Sequence, residues 1–402
     1  MFIVKKHGVF LLLASDHLAS RGKGMDIVIY LDNAATTKPC RQSVEAVMKG
    51  LETFGNPSSL HSLGLEAETL ISEQRETIAR AVGAQAKEIF FTSGATESSN
   101  TAIFGAFAAH GKRKHRVVTT TVEHPSVANP IGKLEKLGCE VVRLSPDKNG
   151  QIDPKAVLEA VNEDTFLVSM MLVNNETGAV FDVGGAFGLI KKKYPQVLTH
   201  CDCVQGFMKL PFTVKKLNAD MVSLSGHKIY APKGIGALYV KSGVHIPAFL
   251  LGGGQESGFR SGTESVPLIC GFGAAVKELE GKVEENLKRA KAVQEHLVEK
   301  CSENGGITVN FAAGSPYITS ISVQGLKSEV LLHFLEKKDI FVSSGSACSK
   351  GKKSSVIKEF RIPDKLTDSV LRISISADTT TEDIDALMAA LCEAQSSLAR
   401  IR

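Results

Sequence analysis

The feature that most constrains this chain is the alternation, from about residue 65 to 240, of amphipathic helical patterns with short apolar runs. Such alternation builds a mostly parallel sheet wrapped by helices, because neighbouring parallel strands need a crossover and a helix supplies it. Seven runs are predicted as its strands: Ile89–Thr92, Val117–Thr121, Glu140–Leu144, Phe166–Val173, Val197–Cys201, Met221–Leu224 and Gly236–Val240. In an open α/β sheet, ligands collect at the carboxyl ends of the strands. Here those ends carry Ser93-Gly94, Glu123-His124, Asn174-Asn175, Asp202 and Ser225-Gly226-His227-Lys228, so polar and reactive groups converge on one edge.

After the seventh run comes a glycine-rich stretch, Gly252-Gly253-Gly254, and then Phe259-Arg260-Ser261-Gly262-Thr263. One long helix is predicted from about Pro267 to Cys301, connecting two domains. The remainder has strand patterns at Ile318–Val323, Ile340–Val342 and Val370–Ile375 and helical patterns at Glu329–Glu336 and Thr381–Leu398, enough for a small α+β domain. The extended start, Ile27–Asp32, is expected to pack with it. The expected division is therefore a large domain of residues 38–280 and a small one of residues 25–37 and 281–402.

Residues 1–24 stand apart. Lys5-Lys6 and the apolar run Val9–Ala14 imitate the start of a signal peptide, but the run is very short, and Asp16, His17 and Arg21 follow it closely. They are read as an upstream extension, disordered or non-native, rather than a secretion signal. No other segment approaches the roughly 20 apolar residues of a membrane span.

A chain of 402 residues, 43% apolar and 22% charged, has the composition of an ordinary soluble protein. Its net charge of +4 comes from 47 basic and 43 acidic residues without a basic face interleaved with aromatics, which argues against direct nucleic-acid binding. Eight irregularly spaced cysteines form neither a disulfide framework nor a paired CxxC, so a reducing, cytoplasmic location is expected. In His200-Cys201-Asp202-Cys203, neighbouring strand residues point to opposite faces, and no metal site is expected there.

Lys228 follows an apolar strand and so sits at a strand end within the predicted site. A desolvated amine near other positive charge is a nucleophile toward an aldehyde. Pyridoxal phosphate (PLP) is such an aldehyde, and it also needs a carboxylate to keep its pyridine nitrogen protonated. Asp202, ending its own strand, is the candidate, and Gln205 could approach the ring's phenolic oxygen. Thr92-Ser93-Gly94-Ala95-Thr96-Glu97 joins a strand to a helix whose first amides would face a phosphate, with Ser225, His227 and Thr263 as further donors. His124 can stack on the ring and move protons near neutral pH.

These segments, with Tyr30-Leu31-Asp32-Asn33-Ala34-Ala35-Thr36-Thr37, Val173-Asn174-Asn175-Glu176-Thr177-Gly178, Arg260–Thr263 and Ser343-Ser344-Gly345-Ser346-Ala347-Cys348-Ser349, resemble those of the NifS/IscS-type cysteine desulfurases. They recur in that family's order from about residue 27 onward. The resemblance implies the PLP-dependent transferase fold (fold type I, aspartate aminotransferase-like). It also implies a homodimer that converts L-cysteine to L-alanine and hands sulfur to an acceptor protein such as an iron–sulfur scaffold or a tRNA-thiolation protein. By position, Lys228 would carry the cofactor, Asp202 would pair with the pyridine nitrogen, Gln205 with the phenolic oxygen, and His124 would stack on the ring. Ala95, Thr96, Ser225 and His227 would hold the phosphate, with Thr263 supplied by the second subunit. Asn175 and Arg372 would grip the substrate carboxylate, for which arginine's planar fork is suited.

Cys348 would receive the sulfur as a persulfide. Its surroundings, Ser343–Lys353, are small, polar and glycine-containing, which predicts a mobile loop, and Lys350, Lys352 and Lys353 favour the thiolate. Two departures from the family pattern stand out. Gln255-Glu256-Ser257 replaces a frequent glutamate-arginine pair near the expected dimer contact, and the stretch between Cys348 and Arg372 is shorter than in many relatives. A selenocysteine lyase or an aminotransferase of the same fold is the alternative enzyme, and a non-catalytic sulfur-relay protein the alternative from another class.

Overall fold

The computed structural model describes residues 28–344 and 355–398, so the expected extension 1–24 and Cys348 itself lie outside the described residues. In chain order the first strands are β1 (Ile29–Tyr30), β2 (Ile89–Thr92), β3 (Arg116–Thr120), β4 (Glu140–Leu144), β5 (Thr165–Met171) and β6 (Leu198–Asp202). They are followed by β7 (Met221–Ser225), β8 (Gly236–Val240), β9 (Ile307–Phe311), β10 (Ile318–Val323), β11 (Ile340–Phe341), β12 (Ser343–Ser344) and β13 (Val370–Ser374).

Seven strands form the large sheet in the order β2-β8-β7-β6-β5-β3-β4. All neighbours run parallel except where β8 meets β2 and β7. Strands β5 to β8 are buried along their whole length, as expected of sheet strands covered on both faces. The faces alternate residue by residue. Val117 and Leu167 pack with Ala102, Ile103, Val127 and Ile131 from the helices Ala95–His110 and Pro125–Lys136. Val118 and Val168 belong to the opposite core, with Ile71, Ile78, Phe187, Ile190 and Phe272.

The sheet strands fall within one or two residues of their predicted positions, and two of the differences matter. Asp202 and Ser225 are the last residues of β6 and β7, so the ladder itself aims them at the carboxyl edge.

The single long helix predicted from Pro267 to Cys301 is instead two, Val266–Leu279 and Val283–Glu303. Gly281 between them has φ +78°, a left-handed conformation that ends a helix and suits a residue without Cβ. The break separates two packing jobs. Ile269, Phe272 and Val276 join the core of the large sheet, whereas Ala290, Val293 and Leu297 join a second core. That second core gathers Leu31 and Ala34 with Ile321, Leu371 and Ile373 and with Ile384, Leu387 and Leu391 of the helix Thr381–Ser397.

A four-stranded antiparallel sheet, β12-β13-β10-β9, supports this core, with β1 paired in parallel to β11 beside it. Strand β9 was not predicted. Its Thr308 and Asn310 break the apolar run, and only its first residue is fully buried, as suits an edge strand. From the second core the segment Asp32–Thr37 crosses to the large sheet, where Thr37 N–H and its hydroxyl both donate to the His227 carbonyl. Chain from both cores therefore meets at the carboxyl edge.

Candidate active site

At that edge lies a cavity of about 720 Å³. Its walls include Ala95, Thr96, His124, Asn175, Asp202, Gln205, Ser225, His227, Lys228 and Arg372, so ten residues predicted from separate parts of the sequence are brought together. Thr263 is exposed and does not line this chain's cavity.

Lys228 ends a 3₁₀ turn, Gly226–Lys228, directly after β7. Its Nζ donates to the carbonyls of Ala34 and Ala35, at 2.6 Å each. Both acceptors belong to the segment from the second core, a pairing that sequence reasoning missed because backbone carbonyls leave no trace in residue identity.

On the neighbouring strand, Asp202 is 5% exposed, and its Oδ1 accepts from Val204 N–H at 2.9 Å. Burial raises its pKa to about 6, against the Val204 hydrogen bond and the nearby Lys228 charge, which lower it. A buried carboxylate raised in this way gains from a protonated nitrogen placed against it.

His124 caps the helix Pro125–Lys136: its Nδ1 accepts from Ser126 N–H at 3.1 Å and lies 2.8 Å from Ser126 Oγ. An imidazole nitrogen that accepts a backbone N–H carries no hydrogen, so Nε2 bears it in the neutral ring. Burial, aided by the Lys228 charge, lowers the His124 pKa to about 4. The Nδ1 of His227 is 3.2 Å from Thr36 Oγ1, and burial likewise lowers its pKa to about 4, with Lys228 the next cause.

Arg372, on β13, reaches the cavity from the second sheet. Its Nη1 donates to the Asn175 carbonyl at 3.0 Å, its Nη2 pairs with Asp32 Oδ1 at 2.7 Å, and its Nε is buried without a hydrogen-bond partner among the described residues. Asp32 was missed as a partner although it stands in a segment already singled out. Across the ladder Ser343 is in register with Arg372 and lines the cavity, so the segment leading to Cys348 departs from the cavity wall.

A layer behind the cavity holds it in place. Glu123 is buried, with Oε1 accepting from Thr120 Oγ1 at 2.7 Å and from Met171 N–H at 2.9 Å, while Oε2 has no partner among the described residues. Burial pushes its pKa to about 8. Lys209, also buried and also missed, donates to Gln205 Oε1 at 3.2 Å. A lysine set among Phe207, Met208 and Leu210 was the available signal. Two ion pairs fix the Gly252–Thr263 segment: Arg260 to Glu97 at 2.7 Å and Arg75 to Glu256 at 2.6 Å. Glu256 is thus an internal anchor that also accepts from Phe91 N–H.

The residues of His200-Cys201-Asp202-Cys203 are otherwise engaged. The His200 ring bonds Ser169 and Ser223 hydroxyls at 2.8 and 2.9 Å, while Cys201 and Cys203 lie together 3.4 Å apart. No helix among the described residues is long and apolar enough to cross a membrane.

The donor set fits PLP. A lysine amine sits at one strand end and, at the next, a buried carboxylate whose pKa burial has raised. The helix Ala95–His110 opens on the cavity at Ala95 and Thr96, where its first amides could receive a phosphate, with Ser225 and His227 beside it. Space is adequate, since a Cβ placed on Gly94 would touch nothing within 4 Å.

Comparison with known proteins agrees. The profile of the family described as aminotransferase class-V matches residues 29–387. The chain is 38% identical over 370 residues to "Cysteine desulfurase IscS" of Methanosarcina thermophila, covering 90% of each chain. It is 41% identical over 374 residues to the protein of that name from Anaeromyxobacter sp. (strain Fw109-5), covering 90% of this chain and 91% of the other. Among solved structures, a "NIFS-LIKE PROTEIN" superposes with a TM-score of 0.88 at 32% identity, covering 92% of this chain and all of the other. "SspA in complex with cysteine" superposes with a TM-score of 0.77 at 32% identity, covering 88% and 100%. On its sequence and its sheet topology alike, the chain belongs to the class-V aminotransferase family, PLP-dependent enzymes of fold type I, among the relatives of the NifS/IscS cysteine desulfurases.

Proposed function

We propose that this protein is a PLP-dependent cysteine desulfurase that converts L-cysteine to L-alanine and places the sulfur on Cys348 as a persulfide. The observation that carries the reading is the convergence of Lys228, Asp202 and Arg372 on one cavity from whose wall, at Ser343, the segment bearing Cys348 departs. An aminotransferase needs the first three groups but has no use for a cysteine on such a segment.

Lys228 would anchor the cofactor, Asp202 hold its ring nitrogen, Gln205 its phenolic oxygen, and Ala95, Thr96, Ser225 and His227 its phosphate. When bound, PLP supplies an electron sink for the bonds at the substrate's α-carbon. To hold the cofactor Lys228 would have to leave the Ala34 and Ala35 carbonyls, and as a free amine beside the substrate its Nζ would be placed to move the α-proton. Asn175 and Arg372 would orient the substrate carboxylate, with Asp32 holding the guanidinium from behind. His124, neutral at pH 7, can donate from Nε2 and exchange a proton near the substrate sulfur. Attack by the Cys348 thiolate on that sulfur forms an S–S bond as the substrate C–S bond breaks, and the electrons released at carbon take up a proton. In sum, cysteine and one thiol become alanine and one persulfide.

The protein would act as a homodimer, with Thr263 of the partner subunit completing the phosphate site. Support comes from an exposed apolar band on the helix Arg41–Glu52 and the segment after it, including Met48, Leu51, Phe54 and Leu60, together with Leu251. A sulfur acceptor such as an iron–sulfur scaffold would take the persulfide. Seven free thiols among the described residues support a reducing cytoplasm. Assays of alanine and sulfide release test the reading: the native protein should form both from L-cysteine, and Cys348→Ala should lose that turnover. Undiminished turnover in that variant would remove Cys348 from the mechanism, and survival of selenocysteine cleavage alone would favour a lyase.

A further inference from the structure

We propose that Lys209 is a positioning residue for the cofactor site, acting through the Gln205 side chain. Resting on the PLP reading above, the inference adds a residue that the family resemblance did not supply. Lys209 and Gln205 are each 5% exposed, and Lys209 Nζ donates to Gln205 Oε1 at 3.2 Å. The opposite end of the same amide donates, Nε2 to the Ala34 carbonyl at 2.9 Å. That carbonyl also accepts from Lys228 Nζ at 2.6 Å.

A continuous chain therefore runs from Lys209 through Gln205 and Ala34 to the amine that would carry the cofactor. A carbonyl only accepts, so the NH₂ end of the amide must face Ala34, and its oxygen end is left to Lys209 Nζ, which donates to it. Together they leave a single orientation, with the NH₂ end at the cavity. A donor, rather than an acceptor, is then presented to the cofactor's phenolic oxygen.

An amide held only at Ala34 would keep that donor less firmly, because its own buried oxygen would be unsatisfied. The other groups around Lys209 do not replace this function. The Tyr317 ring lies 5.9 Å from its Nζ and can only stabilise the cation, while Lys228 and Arg372 are like charges that, after burial itself, lower its pKa to about 7. Among the described residues, Gln205 Oε1 is the hydrogen-bond acceptor that Lys209 Nζ reaches.

The test is a double-mutant cycle read from the pH midpoint at which the visible band of the lysine-bound cofactor changes form. Losing a donor at the phenolic oxygen concentrates negative charge there, so the linked nitrogen should keep its proton to higher pH. Gln205→Ala and Lys209→Met should each raise the midpoint by about one unit, tenfold in proton affinity, and the double variant should shift it no further. Lys209→Gln, uncharged but still able to donate, should keep the native midpoint, which guards against reading a misfolded methionine variant. Additive shifts, an unmoved midpoint in Lys209→Met, or a Lys209→Gln midpoint matching Lys209→Met would overturn the assignment while leaving the cofactor reading intact. No visible band in the native protein mixed with PLP would overturn both.

Discussion

At the scale of single residues, the site is built from groups whose burial sets their protonation. Lys228 brings its amine to the cavity directly after β7, where Nζ donates to two carbonyls from the other core. Lys228→Ala should therefore abolish covalent cofactor retention and lower turnover on the order of a thousandfold or more, checked by the visible spectrum and by alanine formation. Glu123 gives a pH test. Its folded pKa of about 8 lies above the ordinary 4.5, so between those values the folded state holds a proton that the unfolded state has released, and stability falls as pH rises. Glu123→Gln, which carries no such proton, should flatten the fall in melting temperature across that window. Residue identity at strand ends was enough to expect Lys228, Asp202 and His124 at one edge, where they line one cavity, because reactive side chains after apolar runs are conspicuous. Asp32, Lys209 and the Ala34 carbonyl were hidden, because their roles depend on chain returning from the second core, about which local sequence says nothing.

At the scale of elements, the sheet strands were legible because complete burial makes each a short, nearly unbroken apolar run between helices. The connecting helix was misread because its apolar spacing continues across the break. Only the φ of Gly281 reveals two helices serving different cores. The Gly252–Thr263 segment shows the same limit. Gln255-Glu256-Ser257 reads as a local change of charge, whereas folding turns Glu256 inward to Arg75 and to Phe91 N–H, with Glu256 and Ser257 in left-handed backbone at φ 49° and 56°. The Glu256 side chain is 1% exposed, so Glu256→Ala would leave the Phe91 amide without its acceptor and the Arg75 guanidinium with the Ile89 carbonyl but no carboxylate. A loss of about 3 kcal/mol in urea unfolding is expected, and Glu256→Gln should lose less.

At the scale of the whole molecule, two cores meet over one cavity, and each contributes what the other lacks. The large sheet brings Lys228, Asp202 and the opening of the helix Ala95–His110. The second core brings Arg372, the Ala34 and Ala35 carbonyls and the start of the segment that leads to Cys348. On the proposed reading, that division would let the large sheet hold the cofactor while the second core carries Ser343 and Ser344, from which the chain continues toward Cys348. The central claim is that sulfur leaves L-cysteine and arrives on Cys348, and peptide mass spectrometry after one turnover without reductant measures it most directly. One alanine formed for each Cys348-containing peptide heavier by one sulfur atom is the predicted result, and alanine formed while Cys348 remains an unmodified thiol would contradict the account.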